Sequence, residues 1–323
     1  MVEINSLPDN NLPDLKVVEE ILRLKKAGDV LILAHNYQSP DIQFVADYVG
    51  DTLSLCNLAR DAMQPAIIFC GPDFMVETAK ILAPDKKVIY ANDSARCPMA
   101  AMITREDIRD LKKFHPGAAV VGYVNTSAEC KCEIDICCAS ANAVKIVSSL
   151  EADEVIFVPD QNLGAYVRKM VPEKTIFTWS GFCSVHHMIH REDILALACA
   201  HPAAKILVHP ECRPEVTEMA HMVLSTDGMI MYAESADDRE FIAATELEVV
   251  NRMAEDNPTK EFYAVEKAWC RTQKRVKLDN VLKALQTLSP EVCLPHDVIE
   301  RARLPIERML AAGRADLPEG VKP

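Results

Sequence analysis

The 323-residue chain carries a net charge of −13 at pH 7. That length allows two or three domains, and that charge argues against binding nucleic acid or an anionic membrane surface. No apolar run approaches 18 residues, so no membrane-spanning helix is expected. The opening MVEINSLPDN lacks the basic and apolar parts of a signal peptide. Twelve cysteines without such a leader suggest a reducing, cytoplasmic setting.

The first predicted helix is the amphipathic stretch Leu15–Lys26, closed by Ala27-Gly28. A strand VLILA leads into His35, then a Pro, a helical stretch and Thr52. A second strand AIIF, a helix Phe74–Leu82, the turn Pro84-Asp-Lys86 and a third strand follow, and the unit closes on Cys97. The second unit repeats this order. Its first helix starts at Arg105-Glu-Asp-Ile and ends at His115-Pro116. AAVVGYV, Ser140, EVIFV, the helix Leu163–Met170, Pro172-Glu-Lys174 and Cys183 follow. The third unit starts at Arg191-Glu-Asp-Ile, 86 residues on. It runs through KILVH, Thr226, a weaker strand near Met229–Tyr232 or Phe241, the helix Leu247–Glu255, Pro258-Thr-Lys260 and Cys270. His35 to Thr52, Tyr123 to Ser140 and His209 to Thr226 are each 17 residues, and the three cysteines are 86 and 87 apart. Leu278–Leu288 and Pro295–Ala312 read as two amphipathic helices.

Strands alternating with helices imply parallel sheets with helices on both faces. The expected fold class is α/β: three pseudo-threefold-related three-layer α/β sandwich domains with parallel sheets around a central cavity. The divisions fall at 1–103, 104–189 and 190–276, with 277–323 as C-terminal helices on the outside. Such sheets bind ligands beyond the carboxyl ends of their strands. His35, Tyr123, His209 and the three cysteines all follow strands, so they are expected to face one cavity.

A lone free cysteine is usually a small buried apolar residue. Three at one repeat position are better read as a triangular ligand set around an axis. A structural zinc site wants four closed ligands. A cubane iron–sulfur cluster has a threefold diagonal, so three cysteines leave its fourth iron open for Lewis-acid chemistry. Cys130-Lys-Cys132 and Cys137-Cys138 fit no common zinc spacing, and His186-His-x-x-His190 lacks the Glu of a zinc-protease helix. His186 is read as a cavity acid, base or anion binder, and His187 and His190 as structural or surface residues. His35 and Tyr37 in A-H-N-Y-Q can shuttle or hold protons. Glu211 in H-P-E-C can take protons beside an open metal position. Tyr123 and Asn125 occupy the equivalent loop of the second unit. Thr52, Ser140 and Thr226 share one repeat position and suit an anion at helix N-termini, with Ser140 expected to cap the helix ANAVKIVSSL.

These residues resemble the quinolinate synthase (NadA) family of NAD biosynthesis. The resemblance covers nearly the whole chain, through AHNYQ at 34–38, GDTL at 50–53, VETAKIL at 76–82, YVNTSAE at 123–129 and DICCASANAV at 135–144. It continues through PDQNLGAY at 159–166, GFCSVH at 181–186, HPEC at 209–212 and Cys270. It implies three α/β domains around a [4Fe–4S] cluster held by Cys97, Cys183 and Cys270. The implied reaction condenses iminoaspartate with dihydroxyacetone phosphate to quinolinate, with loss of phosphate and water. It implies proton transfers at Tyr37, Glu211 and His35. Substrate would be held by His35, Thr52, Tyr123, Asn125, Ser140, His186, His209, Glu211 and Thr226. An L-aspartate oxidase or aspartate dehydrogenase would supply iminoaspartate. Three positions depart from the family pattern: Thr52 stands for Ser, Leu224-Ser-Thr-Asp227 replaces G-S-T-S, and Cys270-Arg-Thr-Gln-Lys274 replaces C-P-N-M-K. The rival readings are a metal-dependent aldolase or dehydratase on another small acid, and an iron–sulfur sensor protein.

Overall fold

The computed structural model describes residues 15–317. The N-terminal reading and the outermost parts of the first and last segments, 1–14 and 318–323, lie outside them. Three units follow one order of elements. The first holds α1 (Leu15–Gly28), β1 (Val30–His35), α2 (Pro40–Val45), β2 (Tyr48–Gly50), α3 (Thr52–Asp61), β3 (Ala66–Cys70), α4 (Asp73–Leu82) and β4 (Lys87–Tyr90). The second holds α5 (Arg105–Phe114), β5 (Ala119–Tyr123), α6 (Ala128–Lys131), β6 (Ile136–Cys138), α7 (Ala143–Ser149), β7 (Glu154–Val158), α8 (Gln161–Met170) and β8 (Thr175–Thr178). After α9 (Ser184–His187), the third holds α10 (Arg191–Ala200), β9 (Lys205–Val208), α11 (Pro214–Thr217), β10 (Met222–Val223), α12 (Thr226–Ser235), β11 (Glu240–Ala244), α13 (Leu247–Asp256) and β12 (Glu261–Ala264). The tail supplies α14 (Leu278–Thr287) and α15 (His296–Ala312).

Each sheet is parallel and four-stranded, in the orders β2-β1-β3-β4, β6-β5-β7-β8 and β10-β9-β11-β12. The inner strands are continuous apolar runs because helices cover both faces; all six residues of β1 are buried. The edge strands β2, β6 and β10 are two or three residues long and carry no period of their own, so the sequence pattern did not resolve them. A repeated bond precedes each. Asp47 accepts the Ile32 N–H at 2.8 Å, Asp135 the Val120 N–H at 2.8 Å, and His221 the Ile206 N–H at 2.9 Å. The lysine of each P-x-K turn reaches back to a carbonyl: Lys86 to Gln64, Lys174 to Leu150, and Lys260 to Ala236. The last two carbonyls end α7 and α12, where a cation suits the helix dipole.

Of the two segments expected for the weaker strand of the third unit, Met229–Tyr232 lies inside α12 and Phe241 lies in β11. Helix α14 packs on α1 and β3. Helix α15 buries Ala302, Ile306 and Met309 against α4, α6 and β6, so it bridges the first two units. Among the described residues, no helix is long and apolar enough to cross a membrane.

Candidate active site

The first loop of each unit leaves the carboxyl end of its central strand and enters one cavity. Its lining includes His35, Tyr37 and Thr52 from the first unit, Tyr123, Asn125 and Ser140 from the second, and His209, Glu211 and Thr226 from the third. Cys97, Cys183 and Cys270 complete it. His186 is fully buried directly behind this wall, its Nδ1 2.8 Å from Glu211 Oε2. Equivalent residues of three units thus meet at one place, as an approximate threefold arrangement requires. His187 is half-buried and His190 exposed, away from the lining.

The hydroxyl residues do not cap their helices. Asp51 caps α3 through the Ser54 N–H, Ser225 caps α12 through the Gly228 N–H, and Thr52 and Thr226 follow as first helical residues. The expectation that Ser140 caps its helix is corrected: α7 starts three residues later, after Asn142. Ser140 instead lines the cavity beside Tyr123, whose upward shift it opposes. Asn142 turns its amide to the Met309 and Gly313 carbonyls and its carbonyl to the Ala139 N–H, which locks this loop under α15.

The first and third loops share a device. The Tyr37 N–H donates to His35 Nδ1 at 3.2 Å, and the Glu211 N–H donates to His209 Nδ1 at 3.3 Å. Burial holds His35 down at about 4 and His209 well below the usual imidazole range. Both rings are therefore neutral at pH 7, with Nδ1 as acceptor and the proton on Nε2. Burial also pushes the Tyr37 and Tyr123 phenols well above their usual range, and the Glu211 charge adds to both shifts. The His35 and Tyr37 rings meet edge-on at 4.4 Å, and His186 stacks on His209 at 4.2 Å. Although His186 Nδ1 and Glu211 Oε2 are close, they are out of line for a hydrogen bond. His186 Nδ1, Glu211 Oε1 and Asn125 Oδ1 are buried without partners. A ligand in the cavity would meet the last two, whose residues line it.

The cysteines have repeated supports that sequence reading missed. The Cys97 N–H donates to Asp73 at 3.0 Å, the Cys183 N–H to Asp160 at 2.9 Å, and the Cys270 N–H to Glu246 at 3.0 Å. Each acid stands at the start of the helix after its unit's second inner strand. The backbone N–H three residues on from each cysteine, at Ala100, His186 and Gln273, opposes the upward push that burial gives the thiol. The signal was present: the acids are 87 and 86 residues apart, each step within one residue of the cysteines' 86 and 87. Gln273 also went unread; it bonds Gln38 at 2.7 Å and lies 3.2 Å from His35 Nδ1.

This donor set fits a metal group. Burial pushes the Cys97 thiol up to about 12 and raises Cys183 and Cys270 as well. Left alone, these thiols stay protonated; a metal draws the protons off. Among the described residues, one set of ligand atoms lies within 4.8 Å of one another: Cys183, His186 and Glu211. The three sulfurs are not that close, which suits a multinuclear group better than one ion.

Asp227, the charge that departs from the family pattern, faces away from the lining. It takes the Asp51 N–H at 3.0 Å, the Asn36 amide at 2.7 Å and the Ser54 hydroxyl at 2.6 Å. Arg314 from the C-terminal segment bonds Asp51 and lies 3.5 Å from Asp227. Lys274 donates to the Tyr37 carbonyl and pairs with Glu246 at 2.9 Å.

The family model for "Quinolinate synthetase A protein" matches residues 19–311. The chain is 48% identical to the quinolinate synthase of Methanoregula boonei over 91% of its own length and 97% of that protein's. It is 47% identical to that of Methanosarcina barkeri, over 92% and 97%, and 45% identical to that of Aquifex aeolicus, over 90% and 92%. The chain is a member of the quinolinate synthetase A (NadA) family of enzymes.

Proposed function

We propose that this cavity condenses iminoaspartate with dihydroxyacetone phosphate to quinolinate, with loss of phosphate and water. The observation that carries the reading is the convergence of three repeat-equivalent cysteines, each with its backbone N–H held by an acid, on a cavity lined by neutral imidazoles, phenols and hydroxyls. Cys97, Cys183 and Cys270 would hold a [4Fe–4S] cluster. When bound, it supplies a Lewis-acid iron that activates substrate oxygen.

The other residues bind and move protons. His35 and His209 donate Nε2–H to carbonyl or carboxylate oxygens without adding charge. Thr52 and Thr226, at the starts of α3 and α12, hold the phosphate and a carboxylate with helix-terminal N–H groups. The Tyr123–Ser140 pair and Asn125 Oδ1 orient the substrate from the second unit. Glu211 takes protons from carbon and nitrogen during condensation and ring closure, and Tyr37, next to His35, returns them to departing oxygen. Iminoaspartate hydrolyses readily, so an aspartate oxidase or aspartate dehydrogenase would supply it. A cytoplasmic setting fits the twelve free thiols.

The test is quinolinate formation by anaerobically reconstituted protein from enzymatically generated iminoaspartate and dihydroxyacetone phosphate. The expected result is turnover by the native chain, lowered about 10²-fold or more in Glu211→Gln and Tyr37→Phe. No quinolinate from cluster-loaded protein, or full turnover in both variants, would contradict the assignment.

A further inference from the structure

We propose a second metal state of this site: when the three cysteines hold no cluster, Cys183, His186 and Glu211 capture one zinc-class divalent ion. The inference goes beyond the synthase reading and rests on the positions of Cys183, His186 and Glu211. A thiolate, an imidazole and a carboxylate form a mixed set that zinc accepts, with bonds of about 2.0–2.3 Å. Their ligand atoms already lie within 4.8 Å of one another. Two donors are buried without hydrogen-bond partners, His186 Nδ1 and Glu211 Oε1. The thiolate and carboxylate charges together balance a divalent ion.

The supporting contacts are those of a metal site. The other imidazole nitrogen, His186 Nε2, is 3.1 Å from Thr245 Oγ1, which holds the ring in place and can accept the Nε2–H when Nδ1 binds an ion. The Glu211 carbonyl accepts the Asn162 amide at 3.0 Å, which pins the loop after β9. Asp160 holds the Cys183 backbone at 2.9 Å. Cys183 and His186 are three residues apart at the start of α9, and so are neighbours on one helical turn. Three protein ligands leave a fourth position open, and two of them, Cys183 and Glu211, line the cavity. Cys97 and Cys270 take no part. Binding transfers the Cys183 thiol proton to solvent and changes no oxidation state. Because the ion and a cluster both need Cys183, each state excludes the other, and zinc-loaded protein resists cluster assembly.

The experiment uses the full chain, freed of iron and sulfide under anaerobic conditions and titrated with cobalt(II), then zinc. One equivalent of cobalt should give a thiolate charge-transfer band and the strong visible bands of a four-coordinate ion, and zinc should displace it. Cys183→Ser should abolish the charge-transfer band. His186→Gln and Glu211→Gln should weaken binding about tenfold or more. Cys97→Ser and Cys270→Ser should leave band and stoichiometry unchanged. X-ray absorption of the zinc-loaded native chain should show one sulfur among nitrogen and oxygen neighbours, a reading that does not depend on any variant folding. Zinc-loaded protein should regain cluster absorbance from iron and sulfide more slowly than zinc-free protein. Loss of the band in Cys97→Ser or Cys270→Ser with the fold intact by circular dichroism, two or more sulfurs around zinc, absence of stoichiometric binding, or equal cluster-loading rates would overturn the proposal.

Discussion

Replacing Lys274 with Met removes the counter-charge beneath the third cysteine. Lys274 is 6% exposed, and its ammonium lies 2.9 Å from Glu246 and 3.5 Å from Glu248. Glu246 is fully buried, and its Oε1 also accepts the Cys270 N–H. Met keeps most of the side-chain stem, so the loss is electrostatic rather than one of packing. Leaving a buried carboxylate unpaired costs about 3–5 kcal/mol. Glu246→Gln removes the charge while keeping an oxygen for Cys270. The double variant should therefore recover most of the loss, with a coupling of about 2–3 kcal/mol. The pH dependence has a definite sign. Burial already raises the Glu246 carboxyl, with Lys274 opposing it. Without Lys274 the folded chain binds that proton more readily than the unfolded chain, so the penalty grows as pH rises and shrinks toward pH 5. Urea unfolding of the metal-free chain at both pH values measures it. A loss below about 1 kcal/mol at pH 7 in Lys274→Met, or a double variant equal to the sum of the singles, would refute the pairing argument.

The buried imidazoles make the fold acid-sensitive. With His35 held at about 4 in the folded chain, the unfolded chain alone takes the proton between the ordinary value of 6.5 and 4. Stability falls as pH drops through that window, by about 3 kcal/mol from His35; His209 adds in the same direction. Urea midpoints across that range should fall, and His35→Gln should remove part of the slope. Gly164→Ala places a Cβ 2.4 Å from Thr178 Cγ2, where α8 lies close on β8. Overpacking of about 1–3 kcal/mol is expected as a lower melting temperature, partly restored by Thr178→Ser. Arg314→Leu leaves Asp51 and Asp227 facing each other, and burial with Asp51 already pushes Asp227 up to about 6. Thermal melts should show a marked loss in this variant and recovery on adding Asp227→Asn.

The inner strands and the helices of ten residues or more were legible because their apolar runs, turn prolines and capping residues are local. The three cysteines and the loops of His35, Tyr123 and His209 were legible through repetition. The edge strands were not, since two or three residues carry no period. Met229–Tyr232 and Phe241–Ala244 are both short apolar runs, and such runs do not separate helix from strand. Ser140 was misread as a cap because Asn142 performs the local bonding under α15, a partner 167 residues away. The direction of Asp227 rests on Arg314, 87 residues on. Asp73, Asp160 and Glu246 were within reach, because their spacing matches that of the cysteines they hold.

The central claim is that Cys97, Cys183 and Cys270 jointly hold one cluster required for quinolinate formation. The most direct measurement is iron and sulfide content, beside quinolinate formation, in anaerobically reconstituted native chain and Cys270→Ala. About four irons and four sulfides per native chain with turnover, and loss of both cluster and quinolinate in Cys270→Ala, is the predicted result. A Cys270→Ala chain that keeps four irons and forms quinolinate at the native rate would contradict it.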